Sequence, residues 1–261
     1  YRNIFPILFN RYATRGTFTR HRPRQRRPHV SNRVYSIAKA NDSPDIIGMD
    51  KVAADPYDRV GNPNGVVQLG VAQSLLTLDL IENWITENLN QSILGGGDNR
   101  GGLSLSDIIT YQPLDGMTEL KVAMAGFMSQ VGGGTVTFNP SQIVLTSGAT
   151  PAIEILCFAL ADYGDAFLVP APYYPGFDID ANWRAGVELI PIHCRSSDNF
   201  TLRISEVDQA FNQARKLGRK VKGILFSNPS NPVGNLMTRE TLFGLLDFAR
   251  EKNIHIISDE I

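Results

Sequence analysis

After Gly132-Gly133-Gly134 the chain settles into short apolar runs separated by helical stretches, and this alternation restricts its fold more than any other feature. The runs are Ile143–Thr146, Phe167–Pro170, Val187–Ile192, Gly223–Ser227 and Ile254–Ser258. Each has the length of a strand and is too apolar to leave a face in water. Helical periodicity falls between them at Pro151–Ala161, Ser205–Leu217 and Thr238–Lys252. The last stretch carries Leu242, Leu245, Leu246 and Ala249 on one face and Thr238 as its N-cap. Strands of this kind, spaced by helices, predict an α/β fold whose mainly parallel sheet is covered on both sides. Ligands of such sheets sit at the carboxyl ends of the strands.

Upstream the texture differs. The first 41 residues hold nine arginines and Lys39 with no acid before Asp42, whereas the remainder holds fifteen basic residues against 26 acidic ones. The tail is therefore basic and the body acidic. An Arg-rich segment broken by Pro23 and Pro28 buries too little apolar surface to offset its ordering entropy, so it reads as disordered. A transit-peptide remnant, a juxtamembrane arm, a nucleic-acid patch and a solvated linker all share this composition. Few aromatics interleave the arginines and the acidic body repels phosphate, which argues against nucleic acid as a partner. Ordered structure is expected from near Ile46. Leu78, Ile81, Ile85 and Leu89 share one helical face, and Leu120, Ala123, Met124, Phe127 and Met128 are expected to point inward from a second helix. The glycine-rich Gly95–Gly102 reads as a loop or insertion, since no strand precedes it as a phosphate loop requires. Cys157 and Cys194 are too few for a disulfide framework and favour a reduced intracellular, cytoplasmic setting. No run of 18 apolar residues is present, so no membrane span is expected.

Four segments at predicted strand ends carry chemistry. Ser147-Gly148-Ala149-Thr150 turns into the Pro151 helix, where free N–H groups and the helix dipole favour a phosphate, although any capped turn of this type looks similar. Pro172–Phe177 offers Tyr173 and Tyr174, which could stack on a flat heterocycle or simply cover the core. Asn231 can donate its amide to a phenolate oxygen, and a cis bond at Asn231–Pro232 suits so constrained a loop. Asp259 ends a buried strand, where a carboxylate needs a partner. A protonated pyridine nitrogen is one such partner; a salt bridge or a helix cap is another.

These segments are collinear with a known pattern. From about residue 45 onward the chain resembles the fold type I pyridoxal-phosphate enzymes of the class I/II aminotransferases. Within them it is most similar to the plant 1-aminocyclopropane-1-carboxylate synthase group. The matching runs are Leu145–Thr150, Pro172–Phe177, Trp183–Glu188, Pro191–Cys194, Asn228–Gly234 and Ile256–Ile261. The resemblance implies a pyridoxal 5′-phosphate cofactor. It gives its phosphate to Ala149 and Thr150, its ring face to Tyr174, its ring oxygen to Asn231 and its ring nitrogen to Asp259. It also gives Tyr111 a phosphate contact across a homodimer interface, while His193 and Cys194 read as packing. It divides the chain into a disordered tail (1–43), an N-terminal arm with part of a small domain (44–110) and an incomplete large cofactor domain (111–261).

Departures bear on the substrate. Where the synthases carry a substrate-binding glutamate, Gly70-Val71-Ala72-Gln73 has a neutral amide, and Gln112-Pro113 replaces a His-Gly pair after Tyr111. This pattern is similar to a divergent subgroup of aminotransferases acting on amino acids and 2-oxo acids. A true synthase acting on S-adenosylmethionine is the alternative. The resemblance places the Schiff-base lysine and a substrate-binding arginine beyond the last strand. None of Lys39, Lys51, Lys121, Lys216, Lys220, Lys222 or Lys252 fits that lysine's role. A fragment that holds no catalytic residue, and is inactive alone, is the third expectation.

Overall fold

The computed structural model describes residue 31, residues 44–92 and residues 108–261. The Arg-rich tail (Ser31 apart) and the Gly95–Gly102 loop lie outside the described residues. The helices include α1 (Pro44–Ala54), α2 (Leu78–Ser92), α3 (Thr118–Val131), α4 (Ala149–Leu160), α5 (Gly176–Asn182), α6 (Ile204–Lys216) and α7 (Arg239–Lys252). The strands are β1 (Ala166–Ala171), β2 (Glu188–His193), β3 (Val221–Ser227) and β4 (His255–Asp259). They form one parallel sheet in the order β2-β1-β3-β4.

Alternation along β1 explains the layering. Ala166 and Leu168 point to one face, where Val207, Ala210, Phe211 and Ala214 of α6 and Leu245 and Phe248 of α7 pack. Phe167 and Val169 point to the other, against Ile153 and Cys157 of α4 and Phe177 and Ala181 of α5. β3 repeats the pattern, with Ile224 and Phe226 on the first face and Leu225 on the second. Both sides of the central strands are thus sealed, as apolar runs without a polar face require. Burying each of Phe167, Leu168 and Val169 contributes roughly 1.5–3 kcal/mol against exposure.

The N-cap expectation holds, because the Thr238 side chain accepts a hydrogen bond from the Thr241 N–H at 3.2 Å. Three sequence readings need correction. Ile143–Thr146 is not a strand. Its backbone is extended, but its link to other segments is the Leu145 N–H bonded to the Asp115 carbonyl at 2.9 Å, and a strand exists only where a ladder partner is present. The inward face of α3 is not the predicted one: Leu120, Ala123, Met124, Phe127 and Met128 are exposed, while Lys121 and Ala125 are buried. On that face the Asp115 carboxylate pairs with Lys121 Nζ at 2.5 Å. On α7, Leu246 is exposed and Phe248 takes the inward position, where its ring meets Phe211 edge-on at 5.8 Å.

Candidate functional site

The turn into α4, the loops after β1 and β3 and the end of β4 carry the residues that matter. The turn into α4 is shaped by Gly148, whose φ of 106° and ψ of 177° lie in a region essentially reserved for glycine. No side chain caps the helix, so its first-turn N–H groups remain available, and nothing lies within 4 Å of where a Gly148 Cβ would stand. Gly148→Ala is expected to cost about 1–3 kcal/mol in stability by urea denaturation. An unchanged midpoint would show that this backbone geometry is not required.

The loop after β1 separates two adjacent tyrosines. Tyr173 donates its hydroxyl to Asp178 Oδ1 at 2.9 Å, and burial, followed by that hydrogen bond, pushes its phenol up to about 12. Tyr174 stays partly exposed and stands edge-on to buried Phe177, with centroids 5.5 Å apart. Its ring lies across Gly176, where a Cβ would come within 2.6 Å of the ring carbon Cζ. One tyrosine is anchored and the other offers a face.

Behind these loops sits a carboxylate that sequence reading overlooked. Helix α5 went unpredicted, although Phe177, Asp180 and Ala181 have the i, i+3, i+4 spacing of a buried helical face. Asp180 is only 4% exposed. Thr150 Oγ1 lies 3.5 Å from Asp180 Oδ2 in a donor geometry, a long contact. Burial pushes the Asp180 carboxyl up to about 6 from an ordinary 3.8, with Glu154 and Asp259 adding to the rise and Thr150 opposing it. The folded chain therefore keeps this proton where the unfolded chain has lost it. The stability it confers is complete below pH 3.8 and disappears as pH rises through about 6.

The third loop is held by its backbone. The Asn228 N–H donates to the Asp259 carbonyl at 2.8 Å, and Asn228 Oδ1 accepts from the Met237 N–H at 3.0 Å. The Asn231–Pro232 bond is cis as anticipated, as are Ala171–Pro172 and Asn228–Pro229. Asn231 itself is exposed, and its amide has no partner among the described residues. Asp259 is half-buried at the end of β4, where Oδ1 accepts a 3.3 Å bond from the Ile261 N–H.

Thr150 and Asp259 thus approach one another through Asp180, while Asn228 ties its own loop to Asp259. Half-buried Ala149 opens α4 beside Thr150. Tyr111 is fully exposed, and no contact joins it to this group among the described residues. A cavity of about 240 Å³ opens between the loops after β1, β2 and β3, on the α6 and α7 side. Of the residues that the resemblance assigns to the cofactor it includes Asn231 alone, with Tyr173 also on its wall. The neighbouring Cys194 thiol is pushed up to about 11, first by burial and then by Glu206. The described lysines of the sheet layer lie elsewhere: Lys220 and Lys222 flank the amino end of β3, and Lys252 pairs with Glu251 and Asp208. Among the described residues no cluster of His, Cys, Asp and Glu could hold a metal, and no helix is long and apolar enough to cross a membrane.

Known proteins share this pattern. The family model described as "Aminotransferase class I and II" matches residues 66–261. The Arabidopsis thaliana protein named "Probable aminotransferase ACS12" is 58% identical over 235 residues, which is 90% of this chain and 47% of that protein. A 1-aminocyclopropane-1-carboxylate synthase of Oryza sativa subsp. japonica is 52% identical over 261 residues, 99% of this chain and 47% of its own length. The chain spans about half the length of these curated relatives. The structure of aspartate aminotransferase from Thermus thermophilus with maleate has the same fold, with a TM-score of 0.67 at 21% identity, over 90% of this chain and 54% of that one.

Proposed function

The chain belongs to the class I and II aminotransferases, a pyridoxal-phosphate-dependent family, and on that premise we propose that it supplies a pyridoxal 5′-phosphate cradle to an enzyme moving amino groups between amino acids and 2-oxo acids. One observation carries the reading. An uncapped helix start at Gly148–Thr150 and the Asp259 carboxylate at the end of β4 are brought together, with Asp180 between them.

The donor set fits the cofactor. An open turn with free N–H groups suits a phosphate, the Asn231 amide is unpartnered among the described residues, and the Tyr174 ring has a free face. Among the described residues the Asp259 carboxylate makes one long hydrogen bond, leaving its charge for a ring nitrogen. When bound, pyridoxal phosphate supplies an electron sink for the charge that develops as a substrate amine loses its α-proton. In the reading, Ala149 and Thr150 hold the phosphate and Tyr174 covers one ring face. Asn231 donates to the ring oxygen, and Asp259 keeps the ring nitrogen protonated. Tyr111 reaches the phosphate of a second copy in a homodimer, consistent with its exposure. No lysine of this chain is given a role. Residues 44–110 are assigned to an N-terminal arm and part of a small domain and 111–261 to an incomplete cofactor domain. The two free cysteines, Cys157 and Cys194, accord with a reducing, cytoplasmic setting.

The 52% identity to a synthase supports a second reading, elimination from S-adenosylmethionine. Gln73, an exposed neutral amide at the position where the synthase pattern has a carboxylate, favours amino transfer. Assaying the full-length gene product for both reactions separates them. Amino transfer without a cyclopropane product is expected; the cyclopropane product without amino transfer would reverse the assignment.

A further inference from the structure

We infer that Asp180 takes up one proton from solvent when an anion enters the Gly148–Thr150 turn, so that its carboxyl donates to Thr150 Oγ1 and the Thr150 hydroxyl donates to the anion. This inference rests on the phosphate reading of that turn. The Thr150 hydroxyl carries one proton, which can be given to a single acceptor. In the structure it points at Asp180 Oδ2 at 3.5 Å. An arriving anion at the exposed turn competes for the same proton, and an ionised Asp180, itself only 4% exposed, then lies beneath a second negative charge.

Among the described residues Asp180 has no cation to offset that charge. From α4 it faces Thr150, Glu154 and the Cys157 thiol, and from β4 it feels Asp259. Glu154 is turned toward Arg184 at 3.4 Å, and Glu188 of the neighbouring β2 is paired with Arg219 at 2.6 Å. Asp178, on the same helix, is occupied by Tyr173. No basic side chain contributes at Asp180 among the described residues. A carboxyl already raised to about 6 rises further beside an anion, so one added proton relieves the repulsion and reverses the hydrogen bond together. Thr150 touches the anion, and Asp180 is a positioning residue acting through it.

Linkage then sets the sign. Binding that takes up a proton weakens as pH rises above the free-state value, by up to about tenfold per pH unit. The test is calorimetric titration of the full-length protein, freed of cofactor, with sulfate, whose charge does not change over this range. Measurements from pH 6 to 8 in two buffers of different ionisation enthalpy count protons. Expected are uptake approaching one proton per sulfate and affinity falling with pH. Asp180→Asn keeps a donor for Thr150 at every pH, so its affinity should be independent of pH and at least equal to wild type at pH 8. Equal pH slopes in the two proteins, or binding without proton uptake, would overturn the inference while leaving the phosphate turn intact. No sulfate binding by either protein would overturn the inference and the turn's reading together. If Asp180→Asn fails to fold, the proton count on wild type decides alone.

Discussion

Replacing Phe177 by alanine is expected to destabilise the folded chain by about 3–5 kcal/mol, the usual cost of removing a buried aromatic. Phe177 is 0% exposed and sits in the first turn of α5, packed among Ile153 and Cys157 of α4, Phe167 and Val169 of β1 and Leu225 of β3. The cavity would lie between the sheet and α4, and the surrounding strands are held by a parallel ladder that cannot collapse inward without breaking register. Against a total stability of roughly 5–15 kcal/mol, a loss of this size approaches unfolding. Phe177→Leu, which keeps most of the volume, should cost less than about half as much. The functional consequence lies at the surface, because Tyr174 leans edge-on against this ring. Guanidinium denaturation measures the first effect, and cofactor affinity of the Phe177→Leu protein measures the second. A loss below about 1 kcal/mol for Phe177→Ala would contradict the packing described.

Substituting Asp259 by asparagine is expected to lower kcat of the full-length enzyme by roughly 10²–10³, the effect typical of losing one electrostatic contact to the reacting system. The amide keeps the shape and cannot hold a ring nitrogen protonated. The fold should tolerate the change, since Asp259 is half-buried and the strand's link to the next loop runs through its backbone carbonyl. The side-chain bond to the Ile261 N–H at 3.3 Å can be kept by the amide oxygen. KM should therefore move far less than kcat, and the melting temperature hardly at all. Steady-state kinetics with a thermal melt on the same preparation separates the two. An Asp259→Asn enzyme within about threefold of wild-type kcat would remove Asp259 from its proposed role.

Legibility followed the range of the physics. The strands β1 to β4 and the helices α4, α6 and α7 could be read because apolar runs, helical spacing and the Thr238 cap are signals contained in a few neighbouring residues. The positions of four candidate segments could be read for the same reason, since each closes a strand or opens a helix, while their roles remain a proposal. Ile143–Thr146 was misread because a strand needs a partner that its own residues do not encode. The α3 face was misread because helical spacing shows that a stripe is apolar and not which face other segments cover. Leu246 and Phe248 exchanged roles because the inward position depends on where Phe211 lies, on another helix.

By itself, then, the sequence determined a parallel α/β layer, the order in which Tyr174, Asn231 and Asp259 follow its strands, and the turn at Gly148 that opens α4. Hydrophobic period and turn chemistry act locally and survive without knowledge of the rest. Only the tertiary structure decided that Asp180, thirty residues from Thr150, is folded out of water beneath that threonine and next to Asp259. Burial and the field of neighbouring charges are properties of position in space. A carboxylate reads the same in sequence whether it stands in solvent or, as in this fold, between two other acids.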